Sequence, residues 1–239
     1  MGARGAAAAA GVAATSTRDL FAPARYEAQP LLAAAAERLE LCEGAAVLRG
    51  FALPFERALR DGVRTIEAAA PLRNMRTPGG YTMSVAMTNC GAYGWVSDTR
   101  GYRYSPADPD SGAPWPEMPA AFAELARDAA AALGFARFVP DACLVNRYEP
   151  GARLTLHQDK DEQDFQAPIV SVSLGAPAVF LFGGLKRKDR PLHVPLEHGD
   201  VVVWGGPARL RYHGVAQLAE SSHPFAGRAR INLTLRRAR

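Results

Sequence analysis

Residues 153–161 read Arg-Leu-Thr-Leu-His-Gln-Asp-Lys-Asp, an apolar and polar alternation that predicts a strand. Alternate residues of a strand share a face, so His157, Asp159 and Asp161 are predicted to point the same way, opposite the leucines. One imidazole and one carboxylate supply two of the three ligands of a 2-His-1-carboxylate iron(II) site, which leaves positions open for O2 and a co-substrate. The segment therefore predicts an iron oxygenase, on condition that a second histidine and a co-substrate anchor lie elsewhere.

The bulk composition is that of an ordinary globular protein. The chain has 239 residues, of which 48% are hydrophobic and 22% charged, with a net charge of +4 and a sequence pI of about 9.1. Its three cysteines lack C-x-x-C spacing and predict free thiols in a reducing compartment. We expect a monomeric, cytoplasmic protein without a membrane partner, basic enough to be compatible with nucleic acid.

The first part of the chain combines a tail, helices and an irregular region. Residues 1–17 are rich in alanine and glycine and predict a disordered tail. Apolar periodicity predicts helices over residues 30–41, 55–69 and 119–133. Between them, residues 73–115 alternate glycine and proline with short aromatic runs, which predicts hairpins and loops.

After residue 140 the pattern becomes strand after strand. Eight short strands are predicted, over residues 142–149, 153–160, 169–174, 178–182, 192–196, 200–204, 209–215 and 229–236. Their close spacing indicates a sandwich or jelly roll. The predicted fold is therefore mainly β with flanking helices (α+β), in which residues 18–139 and 140–239 form one compact unit.

The sequence offers two His-x-Asp pairs, and only one is a good metal candidate. Such a pair arises often by chance in a chain with five histidines and 24 acidic residues. His198 and Asp200 flank a glycine before an apolar run, which favours a structural turn. His157 and Asp159 keep the metal assignment. His213, within an apolar strand pattern, is the candidate third ligand, against the alternative of a core histidine satisfied by a hydrogen bond.

The last predicted strand carries a candidate co-substrate anchor. Arg230, Asn232 and Arg236 alternate with apolar residues, and Asn146 and Tyr148 share a face in another strand. Arginine suits carboxylates, so converging faces would bind a dianion, although a polar face turned to water is the alternative. The two arginines lie roughly 20 Å apart along an ideal strand at ~3.3 Å per residue. Both must reach inward, or the strand must bend.

Six segments match one known family in order, namely residues 77–89, 101–106, 146–151, 156–161, 182–187 and 199–206. On these segments the chain, over about residues 45–239, resembles the AlkB family of alkylation repair proteins in the iron(II)/2-oxoglutarate dioxygenase superfamily. The resemblance implies a double-stranded β-helix (jelly-roll) core, with an N-terminal helical region and a nucleotide-recognition lid over residues 73–115.

The resemblance also implies a set of site residues. The iron(II) ligands would be His157, Asp159 and His213. The residues for 2-oxoglutarate would be Asn146, Tyr148, Arg230, Asn232 and Arg236. Of these, Arg230 would hold the distal carboxylate and Arg236 the carboxylate beside the metal.

Eight residues would meet the substrate: Thr77, Tyr81, Met87, Trp95, Tyr102, Lys160, Asp161 and Arg187. Trp95 would be the platform on which a flipped base stacks opposite the ring of His157, and Asp161 would face the exocyclic amine of the base. Taken alone, Trp95 favours a core aromatic, and only the resemblance reverses this; the basic loop 186–190 is also consistent with a solvated turn.

The implied activity is oxidative demethylation of N-alkylated bases of the 1-methyladenine and 3-methylcytosine type, with O2 as co-substrate and with release of formaldehyde, succinate and CO2. Alkylated single- and double-stranded DNA would be the partner, single strands being preferred, with RNA as a further substrate. The alternatives are an oxygenase for RNA, protein or a small molecule, a non-catalytic jelly-roll binding module, and a zinc hydrolase.

Overall fold

The computed structural model describes residues 1–2 and 37–239. Contacts divide the chain into two units, and the second, Ala35–Arg239, contains all the secondary structure described. Beyond residues 1–2, the tail predicted over residues 1–17 lies outside the described residues, as does most of the helix predicted over 30–41.

Two α-helices and fourteen strands occur in the described residues. The helices, α1 (Glu56–Ala69) and α2 (Ala120–Ala132), confirm the predictions over residues 55–69 and 119–133. Six strands precede α2: β1 (Arg38–Cys42), β2 (Ala45–Leu48), β3 (Arg73–Arg76), β4 (Thr82–Gly91), β5 (Gly94–Asp98) and β6 (Gly101–Ser105). Eight follow it: β7 (Ala142–Tyr148), β8 (Leu154–His157), β9 (Ile169–Gly175), β10 (Ala178–Phe182), β11 (Leu192–Leu196), β12 (Val201–Trp204), β13 (His213–Val215) and β14 (Arg230–Arg236).

The prediction of a helix over residues 30–41 is wrong for its described part, residues 37–41, because the strand β1 begins at Arg38. Its alanine and leucine content favours a helix, but intrinsic propensity is weak beside strand pairing. Gly44 turns the chain at φ +78°, and an added Cβ there would lie 2.5 Å from the carbonyl oxygen of Gly205. Only glycine therefore allows β1 to fold back onto β2, which lies against β12.

The strands form two packed sheets and one separate hairpin. The large sheet has the order β1-β2-β12-β9-β14-β7-β4-β3, the small sheet β11-β10-β13-β8, and β5 pairs with β6. The eight strands after residue 140 divide equally between the first two sheets, which is the arrangement of a jelly roll. The predicted jelly-roll core is confirmed, and strands from before and after residue 140 pair in the large sheet.

Apolar residues cover one face of β14 and polar residues the other. Ile231, Leu233 and Leu235 pack with Leu59 of α1 and Phe122 of α2. The four side chains of the opposite face are at most 6% exposed, although all are polar or charged: Arg230, Asn232, Thr234 and Arg236. The polar face is thus buried rather than turned to water, as the anchor hypothesis requires.

Two strands near the predicted metal ligands are shorter than expected. The strand predicted over residues 153–160 ends at His157, so Asp159 follows it in a loop. The strand predicted over 209–215 begins only at His213, because a turn of 3-10 helix at Gly206–Ala208 and the turn after it precede it. The polar turn predicted around His198 is present. No helix of the described part is long and apolar enough to cross a membrane.

Candidate metal and co-substrate site

Two neighbouring strands of the small sheet place the histidines side by side. β13 pairs antiparallel with β8, with His213 directly opposite His157, and the ring centroids lie 4.4 Å apart. Gly214 makes this approach possible, because an added Cβ would lie 2.6 Å from the carbonyl oxygen of Leu154. The close strand contact therefore depends on a residue without a side chain.

Asp159 completes a cluster of three ligand atoms that all lie within 4.8 Å of one another. Its two carboxylate oxygens are 3.6 Å from Nε2 of His157 and 3.7 Å from Nε2 of His213. Each Nδ1 lies against a backbone carbonyl, of Thr155 at 2.9 Å and of Arg211 at 3.1 Å. Donation from Nδ1–H fixes the tautomer and leaves both Nε2 lone pairs for a metal.

The protonation states also suit a cation. Burial, and next the proximity of His213, lowers the pKa of His157 to about 4. Burial alone would raise the pKa of Asp159, but Arg236 and then His213 outweigh it and hold that pKa well below its usual range. A neutral imidazole and an ionised carboxylate are the forms that bind metal, and two histidines with one carboxylate suit iron(II).

Polar side chains of β7 and β14 lie together on the buried face of β14, and we call this group the anion cradle: Asn146, Tyr148, Arg230 and Asn232. The Arg230 side chain donates from Nη2 to Ser173 Oγ (2.9 Å), and its guanidinium lies 5.0 Å from the ring centroid of Tyr148. Its Nε and Nη1 are buried without a hydrogen-bond partner in the described part of the chain, and so is Oδ1 of Asn146. Burial lowers the pKa of Arg230. A fully buried cation with two open donors calls for an anionic ligand such as a carboxylate.

The amides of the cradle are linked to each other. Asn146 donates to Asn232 Oδ1 (3.2 Å), and Asn232 donates to Ser171 Oγ (2.8 Å) and to the carbonyl of Val172 (2.9 Å). Burial raises the pKa of the neighbouring Tyr148 phenol, so that it stays protonated. Four of the five residues predicted for 2-oxoglutarate therefore lie together, as the cross-strand pairs Arg230–Tyr148 and Asn232–Asn146 of β14 and β7.

Arg236 lies at the opposite end of β14, against the metal ligands. Its Nε donates to Oδ2 of Asp159 at 2.8 Å, and its Nη2 lies 2.6 Å from the same oxygen in an ion pair. Both arginines thus reach inward, as their spacing along the strand requires. A five-carbon diacid would have one cation beside the ligand cluster and another in the cradle of Arg230, which fits 2-oxoglutarate.

Three of the predicted substrate residues come together beside Asp159. The rings of Trp95 and Tyr102 stack at 5.5 Å with an interplanar angle of 13°. Trp95 Nε1 donates to Oδ2 of Asp161 (2.9 Å), and buried Asn89 holds the Trp95 backbone through two hydrogen bonds of 3.0 Å. Tyr102 is 47% exposed, so the stack is accessible from solvent.

The other predicted substrate residues lie further apart. Thr77 Oγ1 accepts from the backbone N–H of Tyr81 (3.1 Å) in a hairpin turn, where the Tyr81 ring is exposed. Met87 is buried in the apolar interior. Lys160 is exposed, and Arg187 lines a groove of about 430 Å³ along β8. The substrate roles of these residues stay predictions.

Several residues around the site were not among those predicted from the sequence. Ser171 and Ser173 alternate with valine in β9, a visible signal for a polar inner face. Glu162, Arg209 and Tyr104 form a buried cluster behind the ligands. They come from three distant segments, and no spacing relates them.

A family model described as the 2OG-Fe(II) oxygenase superfamily matches residues 44–236. The chain belongs to this superfamily. It is 58% identical over 198 residues to the alpha-ketoglutarate-dependent dioxygenase AlkB of Salmonella typhimurium, which covers 83% of this chain and 92% of the relative. With the Escherichia coli protein of the same name it shares 54% identity over 220 residues, covering 92% and 97%.

A solved structure, described as that of OsALKBH1, matches with a TM-score of 0.73 and 30% identity over 84% of this chain and all of that one. The resemblance noted in the sequence is therefore confirmed. The oxygenase is an iron(II)- and 2-oxoglutarate-dependent dioxygenase, and the triad and arginine cradle fit these two groups. A zinc hydrolase and a non-catalytic binding module are not supported.

Proposed function

We propose that this oxygenase removes N-linked methyl groups from bases in alkylated nucleic acid, with DNA as the main substrate and single strands preferred. The products would be the repaired base, formaldehyde, succinate and CO2. The observation that carries the proposal is the accessible Trp95–Tyr102 stack, which is tied by a hydrogen bond to Asp161 beside the ligand Asp159. Aromatic faces bind unstacked bases with little dependence on sequence.

Iron(II) held by His157, Asp159 and His213, with 2-oxoglutarate between the two arginines, would supply oxidation of the methyl group by O2. The chain itself would place the base. Asp161 uses Oδ2 for Trp95, while its Oδ1 has no hydrogen bond among the described residues. That oxygen is free to accept from the exocyclic amine of adenine or cytosine, which favours 1-methyladenine and 3-methylcytosine over lesions that present a carbonyl there.

Charge and lesion chemistry support a nucleic-acid strand as the partner. The loop containing Lys186, Arg187 and Lys188 is exposed and cationic, which suits phosphates. Alkylation at these ring nitrogens blocks base pairing, so the modified base is easily unstacked, and a single strand has no pairing to lose. RNA meets the same requirements and remains the second candidate substrate. A monomeric, cytoplasmic enzyme remains part of the proposal.

The test is a panel of methylated DNA and RNA oligonucleotides incubated with iron(II), 2-oxoglutarate and ascorbate, followed by mass spectrometry. We expect each repaired lesion to lower the mass of the oligonucleotide by about 14 units, which is one CH2. The reaction should be fastest for single-stranded DNA that carries 1-methyladenine or 3-methylcytosine. The His157→Ala variant is the control and should leave every oligonucleotide unchanged. Succinate formation without demethylation of any member of the panel would contradict the proposal.

A further inference from the structure

Four buried charged side chains form one group that includes the metal ligand Asp159. Asp159, Glu162, Arg209 and Arg236 each have side chains that are at most 9% exposed. The group contains two carboxylates and two guanidinium ions, so its formal charge is zero. Burial of charges is tolerated when they are paired and hydrogen bonded, and every member of this group is.

Glu162 is the shared anion of the group. Its Oε2 accepts from Arg209 Nη2 (3.1 Å), and its Oε1 lies 3.4 Å from Nε of Arg236. Arg209 also donates to the backbone carbonyls of Ala167 (3.0 Å) and Asp159 (2.8 Å). Arg209 therefore holds both Glu162 and the backbone of the metal ligand Asp159. The other oxygen of Glu162, Oε1, is directed at Arg236.

The third neighbour of Glu162 comes from the β5–β6 hairpin, residues 94–105, which carries Trp95 and Tyr102. Tyr104 of β6 is 6% exposed, and its hydroxyl donates to Oε1 of Glu162 (2.7 Å). Burial raises the pKa of Tyr104 well above its usual value, so the phenol keeps its proton and remains a donor. Neither strand of the hairpin belongs to the two main sheets. This hydrogen bond is therefore a direct polar link between the hairpin and the charges beside the metal ligands.

We propose that Tyr104 and Glu162 are positioning residues that couple the β5–β6 hairpin to the binding of 2-oxoglutarate at Arg236. In the structure the Arg236 guanidinium is paired with Asp159, to which Nε donates a hydrogen bond and against which Nη2 lies. A carboxylate of 2-oxoglutarate must take over part of this donation, and Glu162 then remains the anion that holds the guanidinium in place. Tyr104 holds Glu162, so 2-oxoglutarate binding and hairpin order strengthen each other. This inference rests on the proposed function only in one respect, namely that the hairpin binds a nucleic-acid base.

The test uses Tyr104→Phe, which removes one hydroxyl and keeps the ring. Isothermal titration calorimetry of the full chain, loaded with manganese(II) to prevent turnover, gives the Kd for 2-oxoglutarate. We expect Kd to rise about three- to tenfold, since a hydrogen bond to a charged acceptor is worth at least a factor of this size. Hydrogen exchange of residues 94–105 is the second readout. Addition of 2-oxoglutarate should slow it in the parent protein and leave it unchanged in the variant.

The matched control is Tyr93→Phe. Tyr93 packs in the same cluster as Tyr104, yet its hydroxyl makes no hydrogen bond among the described residues, so both readouts should equal those of the parent. A lower melting temperature of Tyr104→Phe with an unchanged Kd and normal slowing of exchange would mean a purely structural role and overturn the proposal. So would an equal effect of the two variants. Neither readout involves an oligonucleotide, so failure here is distinguishable from failure of the demethylase function.

Discussion

Replacement of Arg230 by methionine should weaken 2-oxoglutarate binding strongly while leaving the ligand-free protein as stable as before. Two of the guanidinium donors, Nε and Nη1, are buried and unpaired in the part of the chain that the structure describes. If each donates to the distal carboxylate and contributes about 1.5 kcal/mol, a low value for a charged hydrogen bond, their loss removes about 3 kcal/mol. That corresponds to a roughly hundredfold rise in Kd.

The stability of the ligand-free protein should respond differently. Arg230→Met loses the hydrogen bond to Ser173, about 1 kcal/mol, and the contact with the Tyr148 ring. It also removes a buried cation with open donors, whose desolvation costs several kcal/mol. We expect the free energy of unfolding to stay within about 1 kcal/mol of the parent or to rise. A binding residue that does not stabilise the empty fold is the signature of a site built for its ligand.

Two measurements check this prediction. Urea unfolding of the ligand-free protein gives the free energy of unfolding, and calorimetric titration of the manganese(II) form gives the Kd for 2-oxoglutarate. Arg147→Met is the matched control, because Arg147 lies in the adjacent strand β7 and pairs with the exposed Glu149. An Arg230→Met protein that bound 2-oxoglutarate within threefold of the parent (about 0.7 kcal/mol) would refute the assignment of the cradle.

Three further predictions concern other parts of the molecule. Gly214→Ala forces a Cβ against the Leu154 carbonyl. The variant should bind manganese(II) at least about tenfold more weakly in a titration, because the spacing of the two histidine ligands is lost. Unchanged affinity would refute the role of this close strand contact. Asp161→Asn should lower kcat/KM for 1-methyladenine in single-stranded DNA about tenfold or more, with the Kd for 2-oxoglutarate unaffected, because the amide brings a donor where an acceptor is needed. Equal kcat/KM would refute the contact. Burial would raise the pKa of Asp108, but the ion pair with Arg73 outweighs burial and lowers that pKa. The ion pair therefore stabilises the folded protein at pH values above the unfolded-state pKa of about 4, and this stabilisation is lost as the pH falls through the lower folded-state pKa. Arg73→Met should therefore reduce the free energy of unfolding more at pH 7 than near pH 2, and an equal reduction at both values would contradict the pairing.

Strand periodicity predicted the two histidines of the metal triad, and Asp159 was predicted on the same strand face although it lies in the loop after β8. His157 and His213 lie in strands whose apolar neighbours mark the buried face, and Asp159 follows at a fixed offset. The inward face of β14 was predictable for the same reason. The alternation of polar and apolar residues does not by itself determine whether Arg230 is exposed to water or buried. Arg230 is buried because the small sheet packs on the polar face of the large sheet.

Features that depend on distant segments were not predictable. The strand β1 has the composition of a helix and becomes a strand only through pairing with β2. The hydrogen bond between Tyr104 and Glu162 joins residues 58 positions apart, and neither carries a local pattern that indicates its partner. Likewise Trp95 and Asp161 were each predicted to touch the base, yet their bond to one another appears only in the folded chain.

The central claim is that oxidation of 2-oxoglutarate is coupled at this site to removal of a methyl group from a base. The most direct measurement quantifies succinate, formaldehyde and unmodified adenine after reaction with a single-stranded oligonucleotide that carries one 1-methyladenine. Coupled oxidation predicts equal amounts of the three, and none of them in His157→Ala. Succinate formed in amounts independent of the oligonucleotide, with 1-methyladenine retained, would contradict the account.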